Sequence, residues 1–214
     1  MKDVKTMKTL SDAKMLGGIG SILLLVGLPI PQIGFALAIV GLILQFIAVK
    51  KIAATVNDDT IFSNFLLNFV FGLIAFGSVI IVFIVMVGSL GGLSFFTALE
   101  GMNTTDPTEV FSYLSPLLSG CLIALVIMWV FSLIGAIFLR KSYETIAEKT
   151  NVSTFKTTGL LYLIGTATFI ILIGFLILLI ARIFEIVSYF SLPDTIQTEK
   201  NIPSASSDYP SEIE

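Results

Sequence analysis

The 214-residue chain contains no histidine and a single cysteine, Cys121. The first absence removes the commonest metal ligand and the commonest general base. The second rules out an intramolecular disulfide and a cysteine metal cluster. Cys121 falls inside an apolar run, where a thiol behaves as a small hydrophobe. Charge is scarce as well: 13% of residues are charged and 56% hydrophobic, with a mean hydropathy of +1.00, whereas soluble domains carry about 25% charged residues. Residues 16–49, 60–99 and 110–139 contain no charge at all. That composition places the chain in a lipid bilayer. There is no basic patch interleaved with aromatics, which excludes nucleic acid as a partner class. The runs also lack a paired-Asp or Ser/Lys constellation. With no positioned acid, base or nucleophile and no cofactor motif, the sequence points away from an enzyme and calls for no cofactor or metal.

What the sequence does have is a charged stretch that occurs twice. Residues 51–65 and 141–155 align without a gap at Lys51/Lys141, Thr55/Thr145, Thr60/Thr150, Ser63/Ser153 and Phe65/Phe155. About one identity is expected by chance in such a window, so the match reads as an internal duplication. Each copy follows a run ending in two basic residues, Lys50-Lys51 and Arg140-Lys141, and precedes another apolar run. Both are therefore connectors on one side of a membrane. The second reads as a solvated, helix-like segment lying along the headgroups.

The runs between them predict an all-α polytopic transmembrane bundle in one domain, residues 1–192. Its six spans are expected near 16–30, 33–49, 65–87, 117–139, 157–173 and 175–192. Pro29 and Pro31 interrupt the first apolar block and turn it into a tight hairpin. Gly34, Ala38 and Gly41 then give the second helix a small-residue face. Gly17, Gly18 and Gly20 follow no strand, so they serve helix packing rather than a nucleotide loop. The N-terminal lysines before residue 16 resemble the start of a secretory signal, but a second apolar run follows at once, and the segment reads as a retained span. Ser11 or Asp12 is placed to cap that first helix, and Asp58 or Asp59 to cap the third. Asn64 and Asn68, four apart, are expected to hydrogen-bond between helices.

The last block, 157–192, is too long for one span at about 1.5 Å per residue. It reads as a second hairpin breaking near Gly174, a degenerate copy of the first: Ile173-Gly174-Phe175 repeats Ile33-Gly34-Phe35. The alternative is a single span ending at Arg182, five in all. Residues 88–119 hold Glu100, Asp106 and Glu109 but no lysine or arginine. Set against the basic connectors and N-terminus, this puts the N-terminus in the cytoplasm and that loop outside. Within the loop, residues 107–114 read as a short separate helix, and Asn103-Thr104-Thr105 is a glycosylation sequon. Residues 193–214 form a polar tail of disordered composition. Three polar groups fall within spans and are the candidate site residues: Gln45, Arg182 and Glu185. The last two are three apart on one helix face, where opposite charges pair.

The segments 11–20 (SDAKMLGGIG), 155–165 (FKTTGLLYLIG) and 189–193 (YFSLP) resemble a family of small multispanning membrane proteins found mainly in archaea and some bacteria, catalogued as a domain of unknown function. The resemblance covers roughly residues 8–193. It implies an integral membrane location and transfers no functional residue. Two roles remain from the sequence. One is a non-enzymatic scaffold or small subunit of a membrane complex, partnered by lipid, by other membrane proteins or by itself. The other is a small-solute or ion transporter or channel built from a parallel internal repeat.

Overall fold

The computed structural model describes residues 7–27, 29–89, 92 and 107–197. Among these residues lie six α-helices: α1 (Ser11–Gly27), α2 (Gly34–Val56), α3 (Thr60–Ser89), α4 (Pro107–Thr150), α5 (Thr154–Ala167) and α6 (Ile173–Phe190). Long apolar segments take this form because a helix satisfies its own backbone groups where water is absent. Four of the helices, α2, α3, α4 and α6, are long and apolar enough to cross a membrane. α1 and α5 have 17 and 14 residues, about 25 and 21 Å, and so are the short arms of their hairpins.

Every helix packs on its neighbour in the chain, and α6 packs back on α1, so the six close into a ring. Small residues set the closest approaches. A Cβ on Gly34 would lie 2.0 Å from the Gly27 carbonyl, and one on Gly20 would lie 2.7 Å from that of Gly41. The α1–α2 hairpin is thus backbone against backbone. The α5–α6 hairpin repeats the arrangement, with the Cβ position of Gly174 2.2 Å from the Gly165 carbonyl. Gly17 and Gly18 take the rings of Tyr189 and Phe190, which closes the ring.

The core sits at the end of the bundle that holds the connectors. Leu10, Ile52, Ile61, Tyr143, Ile146, Phe155 and Leu192 are buried there. α2 meets α3 through Phe46, whose ring lies edge-on to Phe62, Phe65 and Phe69 at 5.0–6.2 Å. Two three-residue strands close this end, β1 (Met7–Thr9) antiparallel to β2 (Thr195–Gln197), with Lys8 opposite Ile196. Each connector turns at an asparagine in the left-handed conformation, Asn57 (φ 54) and Asn151 (φ 58), a backbone state in which a short polar side chain is tolerated. The Asp58 carboxylate accepts from the Thr60 amide at 3.2 Å and from its hydroxyl at 2.5 Å, capping α3. It also faces Lys149 of the other connector at 3.6 Å.

Several expectations are corrected. The second connector does not lie along the surface: residues 141–150 continue α4, and Ser142, Tyr143, Ile146 and Thr150 are buried. Its apolar positions, three to four apart, form a stripe facing the core. The turn at Asn57 recurs at Asn151, one helical turn later than the gapless match, which aligns Asn57 with Ala147. The short outer helix expected at 107–114 and the span at 117–139 are one continuous helix running through Pro116. There the Ser119 hydroxyl binds the Pro116 carbonyl at 2.9 Å, the kind of local repair that lets proline persist in apolar helices. The last block does reverse near Gly174, at residues 168–172, with Leu172 in the left-handed conformation. Neither Asn64 nor Asn68 makes the expected side-chain hydrogen bond. Cys121 is exposed on α4 rather than buried. α1 starts at Ser11, and the Leu10 carbonyl accepts the Lys14 amide at 2.9 Å, so neither expected cap precedes it. Within the polar tail Thr195–Gln197 is a strand paired with β1. The sequon at Asn103, together with Glu100, Asp106 and residues 198–214, lies outside the described residues.

Candidate functional site

An isolated carboxylate in an apolar interior costs far more than a folded protein can spare, so it persists only where donors surround it. Glu185, on α6, is 1% exposed and has four. Its Oε1 accepts from Gln45 Nε2 at 2.9 Å and from the Tyr143 hydroxyl in a short bond. Its Oε2 accepts from the Tyr162 hydroxyl at 2.6 Å and from Arg182 Nη1 at 2.8 Å. A carboxylate offers about four lone-pair directions, and this one has a donor for each.

The donors come from separate helices, so the cluster depends on the whole ring. Gln45 on α2 spends its second amide hydrogen on Ser21 Oγ of α1 at 2.9 Å, and Ser21 passes its own to the Gly17 carbonyl at 2.8 Å. Tyr143 belongs to the buried last turns of α4, and Tyr162 to the middle of α5. Arg182 lies one turn before Glu185, and its guanidinium centre sits 5.4 Å from the Tyr162 ring centroid, a cation–π distance. One layer toward the connectors, the Thr158 and Ser188 hydroxyls meet at 3.0 Å. Tyr189 is fully buried there with its ring edge-on to Phe155 at 5.2 Å. Its hydroxyl is buried with no hydrogen-bond partner among the described residues.

All three candidate residues from the sequence, Gln45, Arg182 and Glu185, therefore meet at one carboxylate. What the sequence reading missed are Ser21, Tyr143 and Tyr162. A usable signal was present: in runs almost free of polar groups, a tyrosine hydroxyl needs a partner when buried.

A cavity of about 520 Å³ adjoins the cluster, bounded by α3, α4, α5, α6 and the turn between the last two. Arg182 and Tyr162 stand in its wall with Asn68, Ser132 and Thr166; the remainder is apolar and glycine. A smaller void of about 70 Å³ shares Asn68, Tyr162 and Arg182 and reaches Gln45 and Glu185. Glu185 itself is closed off by its donors, whereas the Arg182 side chain keeps 30% of its surface. Chemically, the arrangement fixes a neutral ion pair and presents one guanidinium to an apolar space. Among the described residues there is no group of three His, Cys, Asp or Glu side chains placed to hold a metal.

Comparison with known proteins assigns the chain without assigning an activity. Residues 37–183 match the model of a family described as a protein of unknown function, DUF996, and the chain belongs to that family. It is 37% identical over 190 residues to Uncharacterized protein MJ1644 of Methanocaldococcus jannaschii, covering 89% of this chain and 97% of the relative. No solved structure matches it.

Proposed function

We propose that this member of a family of unknown function is a multi-pass membrane protein that works as a non-enzymatic scaffold or small subunit of a membrane complex. The observation that carries the reading is the closure of Glu185. The buried carboxylate has every acceptor direction filled by the chain's own side chains, which suits a group that locks helices together rather than one that takes a proton from a substrate. All six helices enter the membrane, with the N-terminus and both connectors cytoplasmic. The β1–β2 pairing supports the even number of passes, since it brings both ends of the ring to the connector end.

The test is extraction from native membranes in mild detergent followed by mass spectrometry. A stoichiometric partner protein is the expected result. A lone monomer or homo-oligomer would sink the subunit reading in favour of a solute transporter or channel with a parallel repeat. Two observations favour that second reading. One is the cavity beside Arg182. The other is the likeness of the two hairpins, each with a glycine of its second helix against a glycine carbonyl of its first. Flux into vesicles that is abolished by substitution at Gln45, Arg182 or Glu185 would establish it.

A further inference from the structure

We propose that the cavity bounded by α3, α4, α5 and α6 binds one anionic membrane phospholipid, its phosphate on Arg182 and a hydrocarbon chain along Phe69, Leu73 and Phe175. The inference stands apart from the scaffold reading, because it concerns a space that the ionic lock leaves empty. Arginine carries five N–H donors, and Arg182 gives Glu185 one hydrogen bond through Nη1. The remaining donors belong to a side chain that is 30% exposed in the wall of an apolar cavity. In hydrocarbon an unmet donor is costly, so the site calls for oxygen acceptors. A phosphate supplies them in the geometry a guanidinium fits best.

Three further wall residues, Asn68, Ser132 and Thr166, make no side-chain hydrogen bond among the described residues and offer partners for ester and phosphate oxygens. Arg182 is the only charged residue among the described lining; the carboxylate it pairs with, Glu185, lies behind it with both oxygens already bonded. The rest is hydrocarbon, and the volume of about 520 Å³ lies in the roughly 300–1,000 Å³ range of ligand sites. A water-soluble anion would leave the phenylalanine-lined part unfilled; a phospholipid fills both parts from the surrounding membrane.

Trp129 is the only tryptophan in the chain, and its indole N–H binds the carbonyl of Thr166, a cavity residue, at 2.9 Å. The full-length protein is reconstituted into phosphatidylcholine vesicles containing a few per cent of a bromine-labelled lipid, and quenching of Trp129 fluorescence is read. Brominated phosphatidylglycerol is expected to quench at about one fifth of the mole fraction that brominated phosphatidylcholine needs, the preference one basic residue confers. Arg182→Gln is expected to bring the two lipids to parity. A Cβ on Gly72 meets nothing within 4 Å although the residue lines the cavity. Gly72→Phe therefore fills the space while leaving Glu185 and its donors untouched, and keeps the test valid if Arg182→Gln fails to fold. It is expected to remove the excess quenching. Equal quenching by both lipids in the wild-type protein would mean annular contact only and overturn the proposal, as would a preference that survives in folded Gly72→Phe.

Discussion

The two ends of the bundle are built from similar apolar residues, yet only one of them is a protein core. At the connector end the helices converge on buried Ile52, Ile61, Tyr143, Phe155 and Glu185. Away from it, α3 buries nothing beyond Ala75, and α4 buries only Ala124 among the described residues before Gly135. Phe76, Ile81, Ile84, Leu118 and Leu122 all face outward there. In lipid, apolar surface gains little by turning inward, and what holds helices together is close backbone contact and hydrogen bonds between side chains. The connector end has both. The hydroxyls of Ser78, Ser89 and Ser119 in the far half bind only carbonyls of their own helix.

The hardest way to break this contrast is to remove the carboxylate at the centre of the connected end. Glu185→Ala leaves Arg182 unpaired and two phenols and an amide without an acceptor. It is expected to destabilise the protein by about 3–5 kcal/mol, the usual cost of orphaning one partner of a buried ion pair. Denaturation in detergent measures it. Ser78→Ala, in the far half, is expected to stay within about 0.5 kcal/mol of wild type. A loss below about 1 kcal/mol for Glu185→Ala would mean that the cluster is wet rather than buried, and the comparison would fail.

Glycine sharpens it next, since the same substitution has opposite expected signs at the tips of the two hairpins and on the outward-facing stretch of α3. Gly34→Ala and Gly174→Ala drive a methyl into backbone atoms 2.0–2.5 Å away, and overpacking of this kind costs about 1–3 kcal/mol. Gly77 has nothing within 4 Å of its Cβ position, so Gly77→Ala removes only backbone freedom. That substitution is expected to stabilise α3 by about 0.5–1 kcal/mol. Thermal melting of the three variants in one detergent decides the matter. Equal losses at all three would show that this stretch of α3 is packed too.

How much of this was legible beforehand follows from what each signal measures. Hydropathy marks what enters lipid, so the apolar runs located the helices, and the segregation of charge located the connectors. It does not say which face of a helix meets another helix. Residues 141–150 therefore read as solvated on their charges, although Tyr143, Ile146 and Thr150 point inward. Gln45, Arg182 and Glu185 stood out because each is expensive in hydrocarbon; that Glu185 joins the other two depends on a ring closure no local pattern encodes. Tyr143 and Tyr162 were overlooked because tyrosine is ordinary in a membrane helix. Only their convergence on one carboxylate distinguishes them. Proline guided correctly at Pro29 and Pro31, where two removed neighbouring donors.

Trp129 marks where the packed half ends. Its indole N–H joins α4 to the Thr166 carbonyl near the tip of the second hairpin. Trp129→Phe keeps most of the ring and deletes that bond, for an expected loss of about 1 kcal/mol. A wild-type melting temperature would place the boundary nearer the Glu185 layer.

The smallest effect lies in the first connector, where the contrast is between polar surface and core rather than between two apolar ends. Asp58 is held below the usual carboxylate range chiefly by the Thr60 hydroxyl, with burial opposing and the Thr60 amide and Lys149 assisting. A group whose folded pKa is depressed contributes stability that is present above the unfolded value, about 3.9, and lost as pH falls through the lower folded value. The acid limb of the stability curve below about pH 4 should therefore become shallower in Thr60→Val, which deletes the hydroxyl donor but keeps the amide. Above pH 5 the variant should be uniformly less stable, with no pH dependence from this site. Melting temperatures of wild type and Thr60→Val between pH 3 and pH 7 test both statements. If the two acid limbs superimpose, the cap is a crystal-clear geometry without energetic weight, and the ordering of the first connector rests instead on the buried side of the turn, at Ile61 and Phe65.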